Sequence, residues 1–224
     1  MHRLLGYLSI MWGAVKLRAG LVRPPVGSPA FFAYRQQWAG RILRSFGIHV
    51  EAEGPRPGPG TLVVANHSGF ADIPTLSLLL PAEARANYIS KLEIGKIPFL
   101  GWHMRVYGDV LFDRTNPAAR KHVVEAALAR LAAGFSVVLF PEGTRSHSGE
   151  PSITIRPALI EAALQAHVPI QPVAIHGTRD LLERPLVRKR GAQVHAHFGQ
   201  VRRDFTAADE VWAAVLDLWR RTQR

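Results

Sequence analysis

Short apolar runs and longer stretches of helical period alternate along most of this chain. Residues 48 to 53 place Ile, Val and Ala between polar neighbours, the period-two pattern of a strand. Residues 61 to 65, 86 to 90, 106 to 112, 136 to 140, 170 to 175 and 193 to 199 are further short runs predicted as strands. Between them, helical spacing predicts helices over 72 to 80, 117 to 133, 157 to 166 and 207 to 221. Asn116, Pro117 and Gly134 supply the cap, first residue and stop of the second of these. Lys91 is followed by an irregular segment around Pro98. Upstream, Ser28 and Pro29 read as the N-cap and first residue of a helix ending near Gly47. Phe31, Tyr34, Trp38, Ile42 and Phe46 lie along one side of it. Strands alternating with helices predict an α/β fold, with a largely parallel central sheet flanked by helices.

Composition narrows the class. A chain of 224 residues with 47% hydrophobic and 20% charged residues is globular and large enough for one sizeable core. The absence of cysteine excludes disulfides, thiolate metal sites and a cysteine nucleophile. The formal charge of +11 calls for an anionic partner, either nucleic acid, an acidic carrier or an anionic membrane. The first fifty residues favour the membrane. They hold Arg3, Lys16, Arg18, Arg23, Arg35, Arg41 and Arg44 with no acid, mixed with Leu4, Leu5, Tyr7, Ile10, Met11 and Trp12. The uncharged run from Leu4 to Val15 has 12 residues, against about 20 for a spanning helix. It reads as an interfacial anchor, with a signal peptide and a packed amphipathic helix as rivals. Residues 1 to 47 are therefore assigned as a helical membrane-interface segment and 48 to 224 as the α/β domain.

Two loops carry the chemistry. Asn66-His67-Ser68-Gly69-Phe70-Ala71-Asp72 follows the strand at 61 to 65. Five positions separate His67 from Asp72, which leaves them about 140° apart on a helix and on opposite faces of a strand. A built turn must join them, with Gly69 as the expected source of backbone freedom. An imidazole held by a carboxylate is a general base with a fixed tautomer. Ser68 lacks the surroundings of a nucleophile elbow. The second loop, Phe140-Pro141-Glu142-Gly143-Thr144-Arg145-Ser146, follows the strand at 136 to 140. It offers a carboxylate, a glycine, a hydroxyl and a guanidinium suited to a phosphate.

These loops resemble the glycerolipid acyltransferase family, the lysophosphatidic acid acyltransferase group in particular. The family's Asn-His-x4-Asp block matches Asn66 to Asp72, and its Phe-Pro-Glu-Gly-Thr-Arg-Ser block matches Phe140 to Ser146. Gly108-Asp-Val-Leu-Phe-Asp-Arg114 resembles the block between them, Lys91-Leu-Glu-Ile the segment before it, and Val168-Pro-Ile-Gln-Pro the last block. One departure is Ile153-Thr-Ile-Arg156-Pro157, where the family has a Phe-Lys-x-Gly-like stretch.

The resemblance implies transfer of a fatty acyl group from acyl-CoA or acyl-carrier protein to a lysophospholipid hydroxyl. No bound cofactor and no metal are expected. His67 is then the base and Asp72 its orienter, with no acyl-enzyme. Arg114 and Arg145 are expected to grip the acceptor phosphate, with Thr144 beside them. Glu142 either binds acceptor hydroxyls or ties down its loop. Gly143 either lends an N–H or allows the turn. Lys91 either helps hold the oxyanion or is a surface lysine. Glycerol 3-phosphate or a lyso-aminolipid are alternative acceptors. A basic membrane- or nucleic-acid-binding module is the non-enzyme alternative, and the apolar N-terminus argues against nucleic acid. His195 and His197 face one side of a strand and read as solvated, not as metal ligands. The expected location is monotopic, on the cytoplasmic face of the membrane.

Overall fold

A computed structural model describes residues 24–97, 100–113, 116–146, 148–179, 181 and 191–221. The Leu4–Val15 run, Arg114 and the basic triplet Arg188, Lys189 and Arg190 lie outside the described residues.

The strands are β1 (Ile48–Glu53), β2 (Leu62–Ala65), β3 (Asn87–Lys91), β4 (Val110–Phe112), β5 (Val137–Leu139), β6 (Ile170–His176) and β7 (Ala192–Phe198). The helices are α1 (Pro29–Ser45), α2 (Asp72–Leu79), α3 (Leu100–Tyr107), α4 (Pro117–Ala132), α5 (Ala158–Gln165) and α6 (Ala208–Arg221). The strands form one seven-stranded sheet in the order β1-β7-β6-β2-β5-β3-β4. Every neighbouring pair is parallel except β6 with β7.

The central strands are buried on both faces, as a helix-covered parallel sheet requires. Strand β2 shows why. Val63 and Ala65 face a core with Ile42 and Leu43 of α1 and Leu76 of α2. Leu62 and Val64 face the opposite core with Ala127 and Leu131 of α4, Ile160 of α5 and Trp212 of α6. Alternation along one strand therefore feeds two cores. Helix α6 joins the second through Val211, Trp212 and Val215, with acids in its first turn and arginines in its last, matching the helix dipole.

Three expectations change. Residues 106 and 107 are not strand but the end of α3, which spans Leu100–Tyr107. Gly108, at φ 83°, ends the helix, and the strand starts at Val110. Tyr107 packs on Phe31 and Phe32 of α1, with its ring 4.3 Å from that of Phe31, so tertiary packing overrides the β preference of this run.

Helix α1, grouped by sequence with the N-terminal segment, packs on the α/β domain. Its Phe31, Phe32, Ile42 and Leu43 are buried, and the Trp38 ring packs tilted against that of His103, 4.3 Å between centres. Arg35, counted among the membrane-seeking cations, is buried. It donates to both oxygens of Asp109 at 3.1 and 2.8 Å, between the rings of Tyr88 and Tyr107. Burial opposes its charge, but the Asp109 carboxylate outweighs this and keeps its pKa raised.

Candidate active site

Parallel pairing gathers the site. Strands β2 and β5 are neighbours in parallel register, so the loops that leave their carboxyl ends emerge side by side. Strands β3 and β6 flank them, and their carboxyl ends deliver Lys91 and Thr178 to the same edge of the sheet.

In the first loop, His67 Nδ1 meets Asp72 Oδ2 at 2.6 Å. That oxygen also accepts from the backbone N–H of Ser68 at 2.8 Å and of Gly69 at 3.0 Å. Asp72 is fully buried in the first turn of α2, where the helix dipole favours its charge. The loop thus closes on the carboxylate, and the carboxylate fixes the ring. The ring also stacks on Phe140 of the second loop, 4.3 Å away and nearly parallel. With Nδ1 engaged by Asp72, Nε2 is the nitrogen able to take a proton.

Gly69 is needed for a different reason from the one expected. A Cβ there would lie 2.1 Å from the Thr178 carbonyl oxygen, so close backbone approach, not left-handed φ, excludes a side chain. Ser68 is buried, with its hydroxyl 3.2 Å from that of Thr178. This arrangement gives it no base. Asn66 holds the loop from the other side: it donates to the Ile175 carbonyl at 2.9 Å and accepts from the Ile175 N–H at 2.7 Å.

In the second loop, Glu142 ties the parts together. One oxygen accepts from His67 N–H at 2.6 Å and the other from Ser152 N–H at 2.8 Å. Burial raises its pKa, and these backbone donors partly offset the rise. Of the two roles open to Glu142, the geometry is that of the tie. Ser146 N–H donates to the His67 carbonyl at 2.8 Å and adds a second strut. Gly143 has φ 68°, and its N–H closes the turn onto the Phe140 carbonyl at 3.0 Å. The allowed turn is therefore its visible part. Arg156, at the departure from the family pattern, packs its guanidinium where a Gly143 side chain would stand.

Arg145 lies over the ring of Phe70, 3.9 Å from its centre, and thereby reaches back across the first loop. Thr144 is exposed beside it. Lys91 is exposed at the end of β3, on the same edge of the sheet but on the far side of β5 from the histidine loop. His195 and His197 point at Glu51 and Glu53 across the β1–β7 ladder, at 3.4 and 3.5 Å. Among the described residues, no group of three or more His, Asp or Glu is arranged to hold a metal ion.

Two contributors carried no sequence signal. Thr178 backs the first loop from the end of β6. Ser152 anchors Glu142 and accepts from Trp212 Nε1 at 2.9 Å through its carbonyl. Both act through backbone atoms or at long sequence range, where residue type says little.

Fold and loops together define an α/β enzyme with a carboxylate-held histidine at the carboxyl ends of parallel strands. The chain belongs to the acyltransferase family: a family model of that description matches residues 47–176. It is 33% identical over 181 residues to a lyso-ornithine lipid O-acyltransferase of Pseudomonas aeruginosa, covering 80% of this chain and 67% of that protein. It is 31% identical over 148 residues to a chloroplastic 1-acyl-sn-glycerol-3-phosphate acyltransferase of Arabidopsis thaliana, covering 65% of this chain and 40% of that protein. A 1-acyl-sn-glycerol-3-phosphate acyltransferase of Helicobacter pylori is 30% identical over 58% of this chain and 54% of its own length. The match thus spans less than two thirds of the last two relatives. The crystal structure of the 1-acyl-sn-glycerophosphate acyltransferase PlsC from Thermotoga maritima shares the fold, with a TM-score of 0.75 over 100% of this chain and 98% of that one, at 21% identity. The chain is accordingly an acyltransferase, and its named relatives act in glycerolipid and lyso-lipid acylation.

Proposed function

We propose that this enzyme transfers a fatty acyl group from acyl-CoA or acyl-carrier protein to the free hydroxyl of a lysophospholipid, with 1-acylglycerol 3-phosphate as the acceptor. The 2.6 Å contact between His67 and Asp72 carries the reading, because it gives a base with one defined tautomer. In this mechanism His67 Nε2 takes the acceptor's hydroxyl proton as the oxygen attacks the thioester carbonyl carbon. The tetrahedral oxyanion collapses, the carbon–sulfur bond breaks, and the leaving thiolate takes the proton from His67. Asp72 keeps the ring oriented and balances the charge of the imidazolium. Glu142 holds the two loops in register. Arg114 and Arg145 grip the acceptor phosphate, with Thr144 beside them, and Lys91 stabilises the oxyanion. No bound cofactor or metal enters this scheme. The protein works at the membrane surface, on the cytoplasmic leaflet where acyl donors are found.

The similarity to the Pseudomonas aeruginosa protein supports a second acceptor, a lyso-ornithine lipid, with the same chemistry. An acyl-transfer assay of the full chain decides between them. It pairs 1-acylglycerol 3-phosphate, lyso-ornithine lipid and glycerol 3-phosphate with each donor type. Turnover of 1-acylglycerol 3-phosphate well above the others is expected. Turnover confined to lyso-ornithine lipid would replace the acceptor, and no turnover with any pair would remove the reading.

A further inference from the structure

Phe70 is an odd residue to leave in the open. It is 42% exposed in a loop whose other apolar member, Ala71, is fully buried. Its face is covered by the guanidinium of Arg145, 3.9 Å from the ring centre. The two residues belong to different loops, one after β2 and one after β5. The loops are already fastened to each other through Glu142 and His67 N–H and through Ser146 N–H and the His67 carbonyl. With the His67–Phe140 stacking, the aromatic contact with Arg145 is a further strut between them, and the one that ends on a guanidinium.

Resting on the acceptor reading above, we propose that Phe70 is a positioning residue for Arg145. An arginine side chain has several rotatable bonds, and ordering it when the acceptor arrives costs affinity. A ring in contact with the guanidinium carbon orders it beforehand. An ordered guanidinium can offer paired N–H donors to an anionic oxygen pair. Phe70 thus tunes the enzyme for an acceptor with a phosphate or carboxylate head, and it does so without touching the reacting atoms. Its side chain departs from the loop between Gly69 and Asp72, so the turn that builds the histidine–aspartate pair also sets the height of the ring. The acceptor's head group and hydroxyl are in this way registered from one loop.

The test is steady-state kinetics of the full chain with 1-acylglycerol 3-phosphate, and in parallel with lyso-ornithine lipid. The variants are Phe70→Leu, Phe70→Tyr, Arg145→Ala and Phe70→Leu with Arg145→Ala. Leucine keeps apolar bulk and removes the π face, and tyrosine restores it. Phe70→Leu is expected to raise the acceptor KM about three- to tenfold, the range of a cation–π contact, with kcat within about twofold and the donor KM unchanged. Phe70→Tyr should match the parent chain. In the Arg145→Ala background, Phe70→Leu should add nothing further. A Phe70→Leu variant with the parental acceptor KM, or one whose effect persists in full without Arg145, would overturn the inference and leave the acceptor reading standing. An unchanged acceptor KM in Arg145→Ala alone would instead overturn the anionic grip, and the role of Phe70 with it.

Discussion

At the residue scale, the decisive unit is an imidazole held by one buried carboxylate oxygen that also accepts two backbone N–H bonds. Removing the ring with His67→Ala should lower kcat by about 10²–10⁴-fold with the fold intact, read by acyl-transfer assay alongside circular dichroism. Asp72→Asn should also lose most activity, because an amide presents a donor where the ring needs an acceptor and permits the wrong tautomer. Parental turnover in His67→Ala would remove the histidine from the chemistry. A second histidine sets a stability profile. His103 is fully buried against Trp38 and Tyr107, and burial, helped by Arg35, drives its pKa well below the ordinary 6.5. It is neutral when folded and titrates near 6.5 when unfolded. The unfolded chain therefore binds more protons as pH falls below that value, and stability is lost in that direction. His103→Phe should flatten the fall in unfolding free energy between about pH 7 and 5, measured by urea denaturation across that range. An unchanged slope would assign the acid sensitivity elsewhere.

At the element scale, the site depends on the packing of loops against one another. The Thr178 carbonyl occupies the place of a Gly69 side chain. Gly69→Ala must push the first loop off β6, and a displacement of about 1 Å at the reacting groups costs on the order of 10²-fold in rate. Kinetics on the folded variant would check this, and near-parental turnover would mean the loop has slack. On the face of the sheet that carries α1 and α2, Arg35 of α1 and Asp109 before β4 form a buried pair, and Asp109 also accepts from Tyr88 N–H at 2.9 Å. Arg35→Met leaves the carboxylate buried without its cation. This should cost about 3–5 kcal/mol of stability, seen as a lower urea midpoint. A change under about 1 kcal/mol would show that water reaches the pair. Helix α1 is therefore fastened to the domain by charge as well as by Phe31 and Leu43.

At the scale of the whole molecule, the charge of +11 and the N-terminal mixture of basic, aliphatic and aromatic residues bear on location. No helix among the described residues is long and apolar enough to cross a membrane. We expect the full chain to bind vesicles containing anionic lipid. Each basic residue near the surface contributes about 1 kcal/mol, so added salt should weaken binding and leave an apolar remainder. Arg35 takes no part, because it is buried with Asp109. Removing residues 1 to 22 should release the protein in a sedimentation assay. Full pelleting of the truncated chain would move the membrane contact to the domain itself.

Much of this protein is legible along the chain because its signals are local. Short β-branched runs, Ser28 and Pro29 at one helix start and Gly134 past another's end each act within a few residues, so the elements fall where their patterns put them. The two motifs are local in the same sense, and they name His67, Asp72, Glu142 and Arg145 without any coordinates. The strand expected at 106 and 107 failed because Tyr107 belongs to a ring cluster with α1, a contact across 76 positions in its Phe31 carbonyl bond. Likewise nothing in the sequence distinguishes Arg35 from its surface neighbours, since its partner lies 74 positions away. The same holds for the site. The sequence supplies two loops, but only the parallel pairing of β2 with β5 sets them side by side. That pairing is why Glu142 becomes a tie and why Phe70 carries Arg145, while the pairing of β2 with β6 is why Gly69 makes room for the Thr178 carbonyl. Local chemistry selects the residues, and long-range burial decides what each one touches.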